Sequence, residues 1–380
     1  MKVLRVADVA DNRTGGMTRV LYGSGDAMAR AGHRVDYLFA DDLGRVAPPQ
    51  LRRFVVPARV AALVARRHAE AGPYDVVEIH EPSAAGYVWR RRRRPRLTPC
   101  AVLSFGIEAR GLAARVAYRR RKRLPVSLKQ RLSPLSVIWQ AGYALKRADH
   151  VICFNSEDAA YLRRLGRRPE DVTRTHSGVD PAFLAAGACL RRGPEARGAL
   201  LFLGTWVERK GVRDLTEALP QVFARRPEAR LTVAGCGCGE ARVLADLPAE
   251  CRPRVTVIPS VAGDEELRAI YRRHSVFVLP SYFEGQPLAM LEAAAMGLAV
   301  LTTDVCGMRD FIVHEQNGLL VPPGDAASLA GALTHLLARP EELARLAQSA
   351  RQAVQEFTWD RVAADMLAAY ARARQRGAPE

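Results

Sequence analysis

"SVFVLPSYFEGQPLAMLEAAAMGLAVLTT", residues 275–303, decides the fold class of this chain. Its first seven residues are nearly all apolar, as in a strand buried on both faces. A second such run, "LAVLTT", closes the stretch. Between them, Pro287 suits a first helical position and Gly297 a C-terminal stop, so the spacing predicts a helix over about 287–296. Strand, helix and strand in this order make a unit of parallel sheet. Two carboxylates interrupt the apolar pattern. Glu284 falls in the loop over the helix N-terminus, and Glu292 falls inside the helix among Ala, Leu and Met. A bare buried charge costs several kcal/mol, so each needs a partner, a proton or a ligand hydroxyl. A Glu292 that faces solvent or pairs with a nearby arginine fits this segment equally well.

The same alternation runs outward in both directions. "MKVLRVADVA", "HRVDYLFA", "YDVVEIHEPS", "CAVLSFGIE" and "HVICFNS" read as strands between helical stretches. In the last, Ser156 is placed to cap a helix whose first turn carries Glu157 and Asp158. "GALLFLGTW", "ARLTVAG", "RVTVIPS" and "GLLVPP" continue the pattern in the second half. The 380 residues exceed one growing core, which stops at about 250–300 residues. The expected architecture is therefore α/β with two doubly wound, Rossmann-like domains. The expected divisions are 1–185, 198–355 and a C-terminal helix from 356 to 380 that packs back on the first domain. The stretch 181–198, Gly-, Ala- and Arg-rich without a clear period, reads as the linker.

Charge is unevenly spread. Net charge is +17. Residues 1–190 hold 34 basic and 17 acidic side chains, and residues 191–380 hold 23 of each, so the whole excess lies in the first half. "WRRRRRPR" (89–96) and "RVAYRRRKR" (115–123) dominate it. An anionic partner or surface follows, with a solubilising arginine-rich surface as the plainer reading. The N-terminus reads as a strand and not a signal peptide, and no apolar run reaches the ~18 residues of a spanning helix. A cytoplasmic protein is expected. The seven cysteines are scattered; Cys236 and Cys238 lack the second pair that a zinc site needs and read as small residues in a tight bend.

Ligands of open α/β sheets bind at the C-terminal ends of strands. That rule nominates Gly15 and Gly16 after the first strand, although "RTGGMTRV" is not the dinucleotide fingerprint and a plain turn fits it as well. It also nominates "GTWVERKGVRDL", where Lys210 precedes a helix start. A lysine there opposes the helix dipole unless an anion lies between them. A solvated lysine is the alternative. Two acceptor carboxylates, a lysine and free helix N–H groups would suit a sugar nucleotide.

"EGQPLAMLEAAAMG" resembles the motif of two glutamates eight apart in retaining GT-B glycosyltransferases of family four (glycosyl transferases group 1). "GG" at 15–16, "DVVEIHE" at 75–81, "ADHVICFNSEDAAYL" at 148–162, "HSGVDPAF" at 176–183, "FLGTWVERKG" at 202–211 and "NGLLVPPGD" at 317–325 follow in that family's order. The resemblance implies a GT-B fold whose two domains face each other across a cleft, donor on the second and acceptor on the first. It implies that Glu284 meets donor-sugar hydroxyls and that the backbone of Gly285, Gln286, Pro287 and Leu288 meets sugar and phosphate. Glu292 would hold the ribose, and Lys210 would neutralise the leaving diphosphate. Gly15 and Gly16 would approach the phosphate, and Ser260, within 259–261, would border the base. It further implies a metal-independent reaction with no tightly bound cofactor and a UDP- or GDP-sugar as co-substrate.

Two positions depart from the family pattern. Thr205 stands where an arginine is frequent, leaving Arg209 or a backbone N–H to supply the donor. Phe105, beside Gly106, stands where a histidine is frequent, so no base is carried over. His80, Glu81 and Glu108 are the acceptor-side candidates. The expected partners are a nucleotide sugar and a saccharide or lipid-linked acceptor. An anionic membrane surface is added by the basic half, with Trp89 and Tyr118 as interfacial aromatics. Work at the inner membrane face would follow. The rivals are another GT-B enzyme, an epimerase or a phosphorylase, and a basic nucleic-acid-binding protein. The last lacks any binding motif and leaves Glu284, Glu292 and Lys210 without a role.

Overall fold

The computed structural model describes all residues except Thr14, 49–50, 127–134, 191, 194–195 and 378–380. The chain divides into two units: residues 1–113, 125–178 and 359–380 form the first, and residues 114–124 and 179–358 the second.

The first unit is a parallel sheet in the order β2-β1-β3-β4-β5-β6. Its strands are β1 (Lys2–Val6), β2 (Arg34–Leu38), β3 (Val76–His80), β4 (Cys100–Ser104), β5 (His150–Cys153) and β6 (Val172–Arg174). Val3, Leu4, Val76, Val77, Ala101, Val102, Val151 and Ile152 are fully buried, which requires helices on both faces. Helix α1 (Gly16–Arg30) packs against the C-terminal helix α15 (Trp359–Gly377). Helices α2 (Arg52–Ala71), α3 (Ala85–Arg93) and α5 (Leu135–Arg147) lie side by side, α2 on α3 and α3 on α5. The right-handed crossover rule puts these three on the face opposite α1. Helix α4 (Glu108–Arg121) follows β4, and α6 (Ser156–Arg164) follows β5. Asn155, not Ser156, caps α6: its side chain accepts from the Asp158 N–H at 2.8 Å. Asn155 has the extended backbone that a cap needs, whereas Ser156 is already helical.

The second unit is also a parallel sheet, in the order β12-β11-β10-β7-β8-β9. Its strands are β7 (Ala199–Leu203), β8 (Arg230–Ala234), β9 (Val255–Ile258), β10 (Val276–Leu279), β11 (Ala299–Thr303) and β12 (Leu319–Val321). Helix α7 (Pro181–Ala188), capped by Asp180, occupies the first part of the stretch read as a linker. Proline at its first position and the Asp180 side chain supply a helix start that the missing periodicity concealed. Further on, residues 189–198 of that stretch are only partly described. Helices α8 (Val212–Arg225), α9 (Glu240–Ala245), α10 (Asp264–Arg272), α11 (Leu288–Ala295), α12 (Cys306–Phe311), α13 (Ala326–Ala338) and α14 (Pro340–Ala353) complete the unit. Helix α11 is buried nearly all round, as its Ala-, Leu- and Met-rich sequence demands. It is one residue shorter at each end than the spacing predicts. Pro287 is extended and acts as the cap. At the other end Gly297 has φ 70°, with Gly297 N–H on Ala294 O and Leu298 N–H on Ala293 O, both 2.9 Å. That pair of bonds closes the helix in a Schellman turn. No helix among the described residues is long and apolar enough to cross a membrane.

Candidate functional site

Strand order places the site. In the second sheet the chain runs from β7 outward to β8 and β9, then returns to β10 and runs the other way to β11 and β12. The order reverses between β7 and β10, the position where open α/β sheets form a binding crevice. The loops flanking that point are 204–211 and 280–287, which hold Thr205, Arg209, Lys210, Glu284, Gly285, Gln286 and Pro287. The two loops are pressed together. Gly211 has φ 70°, and a Cβ there would come within 1.9 Å of the Pro280 carbonyl oxygen. Tyr282 N–H donates to Arg209 O at 3.1 Å. The glutamate loop is also pinned from α12, where Gly307 N–H donates to Gly285 O at 2.9 Å. A Cβ at Gly307 would meet the same oxygen at 2.2 Å.

Glu284 is buried, and its carboxylate is fully engaged. Lys210 Nζ lies 2.7 Å from Oε1 and Arg209 Nη1 2.8 Å from Oε2. Ser281 Oγ donates to Oε1 at 2.9 Å. Burial pushes this carboxyl up, but Lys210 and Arg209 outweigh it and hold its pKa at about 2. The sequence reading gave Glu284 to sugar hydroxyls and Lys210 to phosphate; the fold pairs them with each other. The Lys210 side chain is largely enclosed, whereas Arg209 is the more exposed cation. Glu292 sits in α11 at 2% exposure, so the solvent-facing alternative does not hold. The Tyr271 hydroxyl of α10 lies 3.0 Å from Glu292 Oε2 and 3.2 Å from Ala289 O. Leu288 begins α11, whose N–H groups point back at the loop from Glu284 to Pro287. Thr205 is exposed after β7, and Ser260 is exposed after β9 at the sheet edge. Tyr271 was missed by sequence reasoning. Its one signal was a phenol within the apolar face of "LRAIY", and a buried phenol hydroxyl seeks a partner.

The first sheet reverses between β1 and β3. Gly15 caps α1 there, and Gly16 is its first residue, with open space where a Cβ would stand. His80 ends β3, its ring centroid 5.4 Å from that of Phe105, which itself stacks on Phe154. Burial lowers the His80 pKa to about 4, against a weaker opposing pull from Asp8. Glu81, 1% exposed, accepts from Ser104 Oγ at 2.6 Å, and its Oε2 has no hydrogen-bond partner. Burial pushes its carboxyl up to about 8. Glu108 is exposed in the first turn of α4. Tyr118 contradicts the expected interfacial role. It is buried in the second unit, stacked on Tyr282 at 4.5 Å.

Two parallel doubly wound sheets, the second with carboxylates, cations and a helix start at its switch point, define a protein of the GT-B class. The chain belongs to the family four glycosyltransferases: the model for "Glycosyltransferase Family 4" matches residues 14–183, and that for "Glycosyl transferases group 1" matches residues 197–339. A glycogen synthase of Mycobacterium tuberculosis is 29% identical over 235 residues, 61% of this chain and 56% of that protein. A D-inositol 3-phosphate glycosyltransferase of Stackebrandtia nassauensis is 32% identical over 273 residues, 68% of this chain and 61% of that protein. The chain thus matches little more than half the length of these relatives. Among solved structures, sucrose-phosphate synthase from Thermosynechococcus elongatus shares the fold with a TM-score of 0.76 at 24% identity, covering 96% of this chain and 97% of that one. HepE of Anabaena in complex with UDP shares it at 0.67 and 15% identity, covering 97% and 98%.

Proposed function

We propose that the protein transfers a sugar from a UDP- or GDP-sugar to an acceptor hydroxyl with retention at the anomeric carbon. The observation that carries this reading is the Lys210–Glu284–Arg209 cluster at the β7/β10 switch point, beside the start of α11, whose fifth residue is buried Glu292. A diphosphate entering there meets helix N–H groups and two cations, the charge pattern that stabilises a leaving phosphate. Lys210 and Arg209 then supply positive charge that a metal supplies in other transferases, so the reaction is metal-independent. Glu292 with Tyr271 accepts ribose hydroxyls, and Glu284 accepts sugar hydroxyls while its own cations turn to the diphosphate. The bond from anomeric carbon to phosphate oxygen breaks and the bond to the acceptor oxygen forms on the same face. The acceptor's proton passes to the departing phosphate oxygen, which removes the need for a histidine at Phe105. Relatives named as glycogen synthase and D-inositol 3-phosphate glycosyltransferase support the class of reaction. A saccharide or lipid-linked acceptor, in cell-surface polysaccharide, glycolipid or glycosylated natural-product synthesis at the inner membrane face, fits the basic first half.

The test is a thermal-shift panel of UDP-, GDP- and ADP-sugars on the intact protein and on Glu292→Ala. One nucleotide should raise Tm, and the variant should lose most of that shift. No stabilisation by any nucleotide would remove the donor-site reading. Turnover should persist in excess chelator, with the product anomer read by NMR.

A further inference from the structure

The positive surplus of the first half splits into two unequal parts. Half of the basic residues in the 115–123 cluster are paired inside the second unit. Arg119 pairs with Glu208, Arg121 with Asp325, and Lys122 with both Asp214 and Glu217. The 89–96 cluster is not consumed. Only Arg91 is buried there, 3.2 Å from Asp149, which ties the end of α3 to the turn between α5 and β5. Arg90, Arg92, Arg93, Arg94 and Arg96 are exposed, and none of them pairs with a carboxylate among the described residues. Among them stands Trp89, 48% exposed, with the Arg93 guanidinium 3.8 Å from its ring centroid.

The neighbouring helix α5 shows a matching stripe. Leu135, Trp139 and Tyr143 recur every four residues on one face, with Trp139 71% exposed and stacked on Tyr143. Lys146 and Arg147, both exposed, continue that face to its end. Because α3 packs on α5 and both lie on the same side of the sheet, the two stripes form one outward surface. It carries two indoles, a leucine and seven cations.

We infer that this α3/α5 surface docks on an anionic phospholipid bilayer. Indoles settle at the level of lipid headgroups, and arginines beside them meet lipid phosphates. Leu135 and Trp139, four residues apart, supply the shallow apolar insertion of an interfacial helix. A second copy of the chain is the poorer occupant, since a two-fold contact would set this unpaired positive charge against itself. The inference names the partner surface for the lipid-linked acceptor suggested above and rests on that reading only for its use to the cell.

The test is co-sedimentation of the full chain with phosphatidylcholine vesicles with and without phosphatidylglycerol. Binding should need phosphatidylglycerol, be accompanied by a blue shift of tryptophan emission, and fall at ~0.5 M salt, where screening is short-ranged. The Trp89→Ser/Trp139→Ser and Arg92→Glu/Arg93→Glu variants should each lose about tenfold or more in vesicle affinity. Both should keep the wild-type thermal shift with nucleotide sugar, which separates this inference from the donor site. Arg163→Glu/Arg164→Glu carries the same charge change on α6 and should bind vesicles nearly as wild type. No vesicle binding, equal loss in the α6 variant, or a concentration-dependent dimer abolished by the tryptophan changes would overturn the inference.

Discussion

Glu81 and Glu284 are both buried carboxylates at strand ends, yet their surroundings drive them in opposite directions. Two cations hold Glu284 ionised. At Glu81 the hydrogen bonds from the Ser104 hydroxyl and the Glu108 backbone oppose burial too weakly, so its proton stays on up to about pH 8. The folded-state pKa of Glu81 is raised, so its contribution to stability is complete below about pH 4.5 and is lost as pH climbs through about 8. Glu81→Gln mimics the protonated form. It should leave denaturant-measured stability unchanged at pH 4–5 and raise it by about 1–3 kcal/mol at pH 8–9. A variant that tracks wild type across that range would show Glu81 to be ionised in the fold. At this scale the sequence singled out Glu284, Glu292 and Lys210 from residue type and position alone. It could not show that Lys210 and Glu284 pair, because they lie 74 residues apart and meet only where two strand-end loops converge. The Tyr271–Glu292 contact was illegible for the same reason, since the two residues lie on different helices.

Loops and helix ends decide how firmly the site is held. Gly211 joins the lysine loop to α8 in a left-handed conformation and lets that loop touch Pro280. Gly211→Ala adds both a strained φ and an overlap with a backbone oxygen that cannot move without shifting β10's loop. It should cost about 2–4 kcal/mol in unfolding free energy and displace Lys210. Gly297→Ala, in the Schellman turn of α11, meets only side-chain atoms and should cost about 1 kcal/mol. The two Tm values, with nucleotide-sugar shifts on each variant, separate loop placement from plain helix ending: Gly211→Ala should lose the shift and Gly297→Ala keep most of it. Elements marked by an unbroken apolar run, or by proline and glycine at their ends, were legible in the sequence, β10 and α11 above all. Those set by capping were read less well. Asn155 took the role assigned to Ser156, and Asp180 starts a helix inside an apparent linker, because a cap depends on the backbone angle of one residue.

At the scale of the molecule, the first unit is completed by the far end of the chain. Helix α15 lies on α1, and its Tyr370 reaches a buried cluster in the first sheet. Arg5 Nε is 3.3 Å from Glu78 Oε1, Arg5 Nη2 donates to Tyr370 Oη at 3.0 Å, and that phenol donates in turn to Glu78. Arg5, Glu78 and Tyr370 are each 1% exposed or less, so each charge or hydroxyl depends on the others. Trp359 closes the same face, since any Cβ at Gly23 or Gly178 would strike its ring. Removing one member leaves the remaining charges buried and incompletely paired, which costs more than the lost bond. Tyr370→Phe should therefore destabilise by about 1–3 kcal/mol. Ending the chain at residue 358 should go further, unmasking the apolar face of β3–β6 that α15 covers. Hydrogen exchange on that truncated chain should show protection lost across β1–β6. In β7–β12, whose own unit runs from 179 to 358 with 114–124, protection should remain. Retained protection in β1 and β3 after the truncation would mean that α1 and the α2–α3–α5 layer suffice, and that the Arg5–Glu78–Tyr370 cluster ornaments a sheet already stable without it.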